Sequence, residues 1–459
     1  MDAVLLSRIQ FGFTIGFHIL FPTLTIGLAW FLVAFEARWA GGKRPQYLVL
    51  YRFWVKIFAL TFGMGVVSGL VLSYEIGTNF SRFSQIAGPV MGPMLSVEVL
   101  TAFFVEAGFL GVMLFGWNKV GPRLHFLATL LVALGTTNSA FWILSANSWM
   151  QTPQGVEMIG GRLVPQDWFA VVFNPSFPYR LTHMVLASLL TSALVVAGVS
   201  ALQVIRHHKS DDPSSWSKRG LRLAVGAIAV LAPLQIVAGD FHGLNVREHQ
   251  PMKLAAMEAL WQTESDVPLV LFALPDQTRQ VNRYALKIPN LGSLILTHTL
   301  HGEVKGLDEV PRDQQPPVLP VFFGFRIMVG LGLWFALLGV LGVILMWGSR
   351  LEQSRWYLRA LALSTPLGFV ATLSGWIVAE TGRQPWVVYG ILRTIDAVSP
   401  VSVSAVAGSL LVFFIVYGLL LSAYVYFVIK LVQQGPALPV KHPEAMRGAR
   451  VGEVIPPDA

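Results

Sequence analysis

Apolar residues in this chain neither alternate nor mark one face of a helix. They run on for a full membrane's width at a time, near residues 9–36, 50–74, 92–115, 124–146, 180–205, 219–240, 321–347, 357–380 and 402–432. A helix crosses about 30 Å of hydrocarbon in roughly 20 residues, so each run predicts one membrane-spanning helix. Nine such helices define an all-α integral membrane protein. Six spans fall in residues 1–240 and three in 321–432, with a long polar segment over 241–320 and a tail over 433–459. An odd number of crossings puts the termini on opposite faces. The opening MDAVLLSRIQ leads straight into the first run without the pattern of a cleavable signal, so the first helix is expected to be retained.

Basic residues give the orientation. In the short connections and tails one face collects seventeen lysines and arginines, among them Arg38, Lys43, Arg44, Lys119, Arg123, Lys209, Lys441, Arg447 and Arg450. The other has six, Arg8, Arg82, Arg162, Arg180, Arg383 and Arg393. The excess marks the cytoplasmic side, which places the N-terminus and the 241–320 segment outside and the C-terminus in the cytoplasm. Composition agrees: the chain is 54% hydrophobic and 13% charged, against about 25% charged in a soluble domain. A net charge of +8 would point to nucleic acid in a soluble protein, but these cations flank spans, and no nucleic-acid partner is expected. Cysteine is absent, which excludes disulfides, thiolate-held iron and iron–sulfur clusters. Any metal must be held by His, Met or carboxylate.

Against that background His18, Glu98, Glu106, His183 and Glu380 stand out, because ionisable groups inside spans are expensive and mark function by default. His18, midway along FHILFPTLTIG, fits either a bond to a backbone carbonyl or ligation of a metal or haem. Glu98 and Glu106 share the third span, about 80° apart around its axis and about 12 Å along it. They fit a ligand plus a proton relay, or a pair of interhelical hydrogen bonds to Ser, Thr or Arg. His183 and Met328 open the fifth and seventh spans, and imidazole with thioether is an axial set for electron-transferring haem. Arg326 is either a partner for a haem propionate or a snorkelling anchor. Glu380 closes the eighth span beside Arg383, fitting an interfacial ion pair, or, with Trp376 and Trp386 nearby, a site for a flat macrocycle.

In the long segment, Pro251 to Trp261 reads as a helix that brings Lys253, Met257 and Glu258 within reach along one side. The alternative is a solvated amphipathic helix. Gly12 with Gly16 and Gly65 with Gly69 have the spacing that lets helices pack closely. Membrane carboxylates alone also fit a proton-coupled carrier, although no inverted repeat is evident. A diheme membrane reductase is a second rival.

The segments SRIQFGFTIGFHILFPTLTIG, GPMLSVEVLTAFFVEAGFLGVMLFGW, WILSANSWMQTP, KLAAMEALW, FRIMVG and WIVAETGRQPW, in this order, resemble subunit I of the cytochrome bd family of quinol oxidases over nearly the whole chain. The resemblance implies a bacterial inner-membrane enzyme that oxidises quinol outside and reduces dioxygen to water with cytoplasmic protons. It implies His183 and Met328 as ligands of a low-spin haem b. His18 and Glu98 match the ligand positions of one high-spin haem and Glu380 that of the other, one a haem b and the second a haem d or another haem b. Glu106 matches an acid on the proton route, Lys253 and Glu258 a quinol-contacting pair, Arg326 and Arg383 arginines near propionates, and Trp376 a tryptophan near the haems. A second membrane subunit, subunit II, is implied as a partner, with a small single-helix subunit beside it. The 241–320 segment resembles the short-loop, often cyanide-insensitive branch, and Asn118 stands where many relatives have Asp.

Overall fold

The computed structural model describes residues 2–42, 44–206 and 215–436. Of the cations counted for orientation, Lys43, Lys209, Lys441, Arg447 and Arg450 lie outside the described residues, as does the expected tail beyond residue 436. Among the described residues nine helices are long and apolar enough to cross a membrane. They are Ala3–Gly42, Pro45–Asn79, Ser81–Phe115, Pro122–Gln151, Trp168–Arg206, Trp216–His249, Val318–Trp347, Arg355–Thr381 and Val403–Gln434, here the first to ninth spans. Each expected run has its helix. The sixth carries on to His249, past the expected limit at 240, because FHGLNVREH continues the helix after the apolar stretch ends.

The first span packs on the second and fifth, the fifth on the sixth, and the seventh on the sixth and eighth. Their shared core includes Leu28, Leu32, Trp54, Phe58, Leu194, Val196, Leu221 and Tyr357. In the fifth span 72% of the most apolar window is buried, against 6% in the ninth. The fifth is therefore the central post and the ninth a peripheral helix. Close approach is bought with small residues at Gly27, where an added Cβ would strike Ser188 and Ser192 of the fifth span.

Two spans depart from a plain α-helix. The third winds as α-helix over Ser81–Glu98, as a π turn over Val99–Phe103 and as α-helix again over Phe104–Phe115. The eighth is interrupted between Arg355–Ser364 and Leu367–Thr381 at Pro366, which lacks the N–H that the helix ladder needs.

Residues 250–317 are folded. Helix Pro251–Glu258 is followed by an antiparallel hairpin, Leu269–Asp276 with Val281–Ile288, and by helix Leu291–Thr297. Leu254, Ala256, Trp261 and Val270 share a core with Val318, Val321 and Phe322 of the seventh span and Val378 of the eighth, which fastens the segment to the membrane bundle. The reading of Pro251–Trp261 as a solvated helix fails, since every residue from Met252 to Glu258 is buried.

Candidate functional site

Where the fourth and eighth spans end and the fifth begins, Glu380 is held from three sides. Its Oε1 accepts from Asn147 Nδ2 at 3.0 Å and Gln151 Nε2 at 3.1 Å, and its Oε2 accepts from Arg383. Arg180 donates to Asn147 Oδ1 at 3.2 Å, and Lys253 Nζ donates to Gln151 Oε1 at 2.5 Å and Gln250 Oε1 at 2.7 Å. Burial, reinforced by Arg180, pushes the Lys253 ammonium well below its ordinary pKa. The cluster holds two guanidinium groups and a lysine against one carboxylate. Arg180 Nε and Arg383 Nε and Nη1 are buried with no partner among the described residues. Buried donors without acceptors are strongly disfavoured, so this pocket is built for a further group rich in anionic oxygen. Haem propionates fit that description.

The third-span acids face the fourth span. Glu98 Oε1 accepts from Ser139 Oγ at 2.6 Å, and Glu106 lies over Gly135, where an added Cβ would come within 2.7 Å of its Cγ. Gly135 and Ser139 are one turn apart on the same face, so both acids point to one side. A regular helix would have set them about 80° apart; the π turn takes up one extra residue, or roughly 100° of winding, and reduces the offset to about 20°. Glu106 is 6% exposed and its Oε1 has no partner among the described residues. Glu98 thus has the expected interhelical bond to Ser, and Glu106 stays free.

His18 bonds Ser68 of the second span through Nδ1 at 2.9 Å, and the Gly65 backbone also lies within hydrogen-bonding reach of it, as one reading allowed. Ser68 Oγ also lies 2.8 Å from the Met64 carbonyl and 3.1 Å from that of Gly65; in the arrangement where its proton goes to either, the serine oxygen accepts from His18 Nδ1–H. Nε2 then keeps its lone pair, the arrangement of a metal-binding imidazole with its outer hydrogen bond already made. His18 is held by the second span and Glu98 by the fourth, so different neighbours position the two.

At the fifth-span start, His183 Nε2 lies 3.1 Å from the Gln235 amide, and its ring is 5.6 Å from that of His242. His183 Nδ1, Gln235 Oε1 and His242 Nε2 are all buried without partners among the described residues. Met328, on the seventh span, sits against the eighth, where a Cβ on Gly375 would meet its Sδ at 2.8 Å. A glycine faces His18 and His183 as well: Cβ atoms on Gly69 and Gly239 would lie 3.2 and 3.3 Å from their rings. Of the two glycine pairs singled out in the sequence, Gly65 and Gly69 border Phe21 and His18, whereas Gly12 and Gly16 meet Trp376 and Leu373 of the eighth span at ordinary distance, 3.9 Å.

Lys253 and Glu258 do not lie along one side of their helix as expected. Five residues apart on a helix, they lie about 140° apart around it. Lys253 turns to the Glu380 cluster, while Glu258 Oε2 accepts from Arg326 at 2.7 Å. Arg326 also donates to the carbonyls of Met257 at 2.8 Å and Val270 at 2.7 Å, so its fork is already filled. Arg383 makes the ion pair with Glu380 and still has donors to spare.

Several members of these sites do not stand out in the sequence. Asn147, Gln151, Gln235, Gln250 and Ser139 are neutral and leave no mark in a hydropathy profile. Arg180 counted only as an outer cation, yet it is 7% exposed. Glu75, 2% exposed beside Thr14 and Tyr417, was hidden by the polar end of its span. A search for glycines at helix seams would have found the seats of His18, His183, Met328 and Glu106.

The family model described as cytochrome bd terminal oxidase subunit I matches residues 6–436. The chain is 34% identical to cytochrome bd ubiquinol oxidase subunit 1 of Bacillus subtilis (strain 168), covering 95% of this chain and 94% of that one. It is 32% identical to cytochrome bd-II ubiquinol oxidase subunit 1 of Escherichia coli (strain K12), covering 97% and 100%. The solved bd oxidase from Geobacillus thermodenitrificans superposes with a TM-score of 0.87 at 31% identity, over 95% of this chain and 99% of that one. Sequence and fold agree over the same length, and the chain belongs to the cytochrome bd terminal oxidase subunit I family.

Proposed function

We propose that this chain is the haem-bearing subunit of a respiratory quinol:oxygen oxidoreductase, oxidising quinol at the outer face of a bacterial inner membrane and reducing dioxygen to water with cytoplasmic protons. The observation that carries the reading is the Glu380 cluster, whose unpartnered guanidinium donors require an anionic group. His183 and Met328 would hold low-spin haem b. His18 with Glu98 would hold one high-spin haem and Glu380 the other, a haem b together with a haem d or a second haem b. When bound, haem supplies the one-electron transfer and oxygen reduction that no side chain here provides.

The protein's own groups divide the remaining work by location. Arg326 holds the Glu258 carboxylate in place at 2.7 Å, ready to take a quinol hydroxyl proton and release it outside. Lys253 ties the 241–320 segment, the quinol loop, to the Glu380 cluster through Gln151. Arg180 and Arg383 would hold propionates through their unpartnered donors, and Trp376, on the eighth span against Gly12 of the first, would stand near the haems. Glu106, unpartnered against Gly135, passes protons toward Glu98. Protons released outside and taken up inside separate charge without a pump. Subunit II is the proposed partner, with a small single-helix subunit beside it, and the poorly buried ninth span offers apolar surface for either.

A reduced-minus-oxidised spectrum of the purified complex, with a carbon monoxide difference spectrum, tests the reading. Low-spin b bands plus a carbon monoxide-reactive high-spin haem are expected, and a red chlorin band would identify haem d. A folded, fully assembled complex without haem would leave the proton-coupled carrier in its place.

A further inference from the structure

The most completely buried ion pair outside this site lies at the opposite end of the bundle. Glu36, near the end of the first span, and His125, in the first turn of the fourth, are each 1% exposed. Glu36 Oε1 accepts from His125 Nδ1 at 2.7 Å and Oε2 from Thr129 Oγ1 at 2.6 Å. With its proton committed to the carboxylate, Thr129 accepts from the Tyr51 hydroxyl at 2.9 Å. Trp117 covers the imidazole at 4.0 Å between ring centroids. These bonds fix the tautomer: Nδ1 carries the proton, and Nε2 keeps a lone pair with no partner among the described residues. A carboxylate thus holds one side of the buried imidazole, and the other side presents a free acceptor nitrogen for a proton.

Its place in the fold gives that proton a destination. His125, Thr129, Val132, Thr136 and Ser139 follow one another at spacings of four, three, four and three, a single stripe along the fourth span. Gly135, which seats Glu106, is ten residues from His125, about 15 Å up the helix. Thr136 is buried beside it, and Ser139, which bonds Glu98, closes the stripe. The exit turn of the third span, Phe115–Gly121, contains neither carboxylate nor imidazole, its one charged residue being Lys119. The charged groups around the pair, Arg38 on the first span, Arg52 over Trp117 on the second, Lys119 two residues past Trp117 and Arg123 on the fourth, are exposed and cationic. None of them supplies a second acid.

We propose that the Glu36–His125 pair takes up protons at the face bearing Arg38 and Arg123 and passes them along this stripe, through water between Thr129 and Thr136, to Glu106. The inference rests on the reading of Glu106 as the proton donor to the oxygen site. In the step, an N–H bond forms at His125 Nε2 as hydronium gives up a proton; Glu36 neutralises the imidazolium, which returns the proton to water on the Glu106 side. No electron moves.

The test mixes the reduced, haem-replete complex with dioxygen and follows proton uptake with a pH-indicating dye. Glu36→Gln keeps the shape of the acceptor and removes the charge; His125→Gln keeps an amide within reach of Glu36 and removes the titrating nitrogen. Both are expected to slow proton uptake at least tenfold at full haem content, with Glu36→Asp restoring most of the rate. Normal uptake in either assembled variant, or slowing only in proportion to haem lost, overturns the proposal. Glu106→Gln run alongside separates the two levels: if it slows uptake and the pair variants do not, this inference alone fails, and if it leaves uptake normal, the reading of Glu106 fails first.

Discussion

The Glu380 cluster and the third-span acids place carboxylates in the same bundle by opposite means. Glu380 is caught by four elements, with hydrogen bonds from Asn147 and Gln151, an ion pair to Arg383, and Arg180 and Lys253 behind them. Glu98 has one hydroxyl, and one Glu106 oxygen has nothing. A carboxylate fixed by several cations and amides is a structural anion that also gathers positive charge for a ligand. A carboxylate with a single partner or none keeps an oxygen for another role, a ligand's in the reading of Glu98 and a proton carrier's in that of Glu106.

Glu380→Ala presses hardest on that difference. It leaves two buried guanidinium groups without their carboxylate, and removing one partner of a buried pair costs about 3–5 kcal/mol. The expected result is a large fall in the melting temperature of the complex or failure to assemble. Glu98→Gln, which keeps a hydrogen-bond acceptor for Ser139, should cost only about 1 kcal/mol in protein contacts, with any further loss tracking haem content. Equal losses in thermal melts of the two variants would erase the distinction.

Glu106→Gln preserves volume and removes the titrating group, so oxygen consumption should fall at least tenfold while every haem band stays. Loss of haem in this variant would make Glu106 a structural anion after all. Gly375→Val places branched carbon where Met328 Sδ now sits and is expected to diminish the low-spin band, whereas Gly332→Val, which meets no atom within 4 Å, should not. An unchanged band in both would remove Met328 from the ligand set.

The smallest effect concerns Lys253. Its folded-state pKa lies below the ordinary 10.5, chiefly through burial, so the unfolded chain binds more protons between the two values. Stability should therefore rise with pH across that window and lose part of its gain as pH falls through the folded value. Lys253→Met is expected to flatten this slope in melts run from neutral pH to about 10. A slope unchanged by the substitution would assign it to another group.

The spans were legible because a continuous apolar run needs no partner to be recognised. The five membrane acids and histidines were legible for the complementary reason, as chemical exceptions within such runs. What escaped depends on contacts between distant segments. Gln151 and Asn147 matter through Glu380, more than two hundred residues away, and Ser139 through Glu98. Lys253 and Glu258 were placed together by their closeness in sequence, and the helix turned them to different neighbours. Arg326 was read as either a propionate partner or a snorkelling anchor, and only the fold shows Glu258 in its fork.

The π turn at Val99–Phe103 carries one further consequence. It amounts to a single extra residue lodged inside a helix, invisible to hydropathy and to span counting. Deleting any one of the four apolar residues of VLTAF would leave nine recognisable spans and every polar group, and still swing Glu106 about a quarter-turn away from Gly135. What a lineage must inherit at this point is a count as much as a set of side chains.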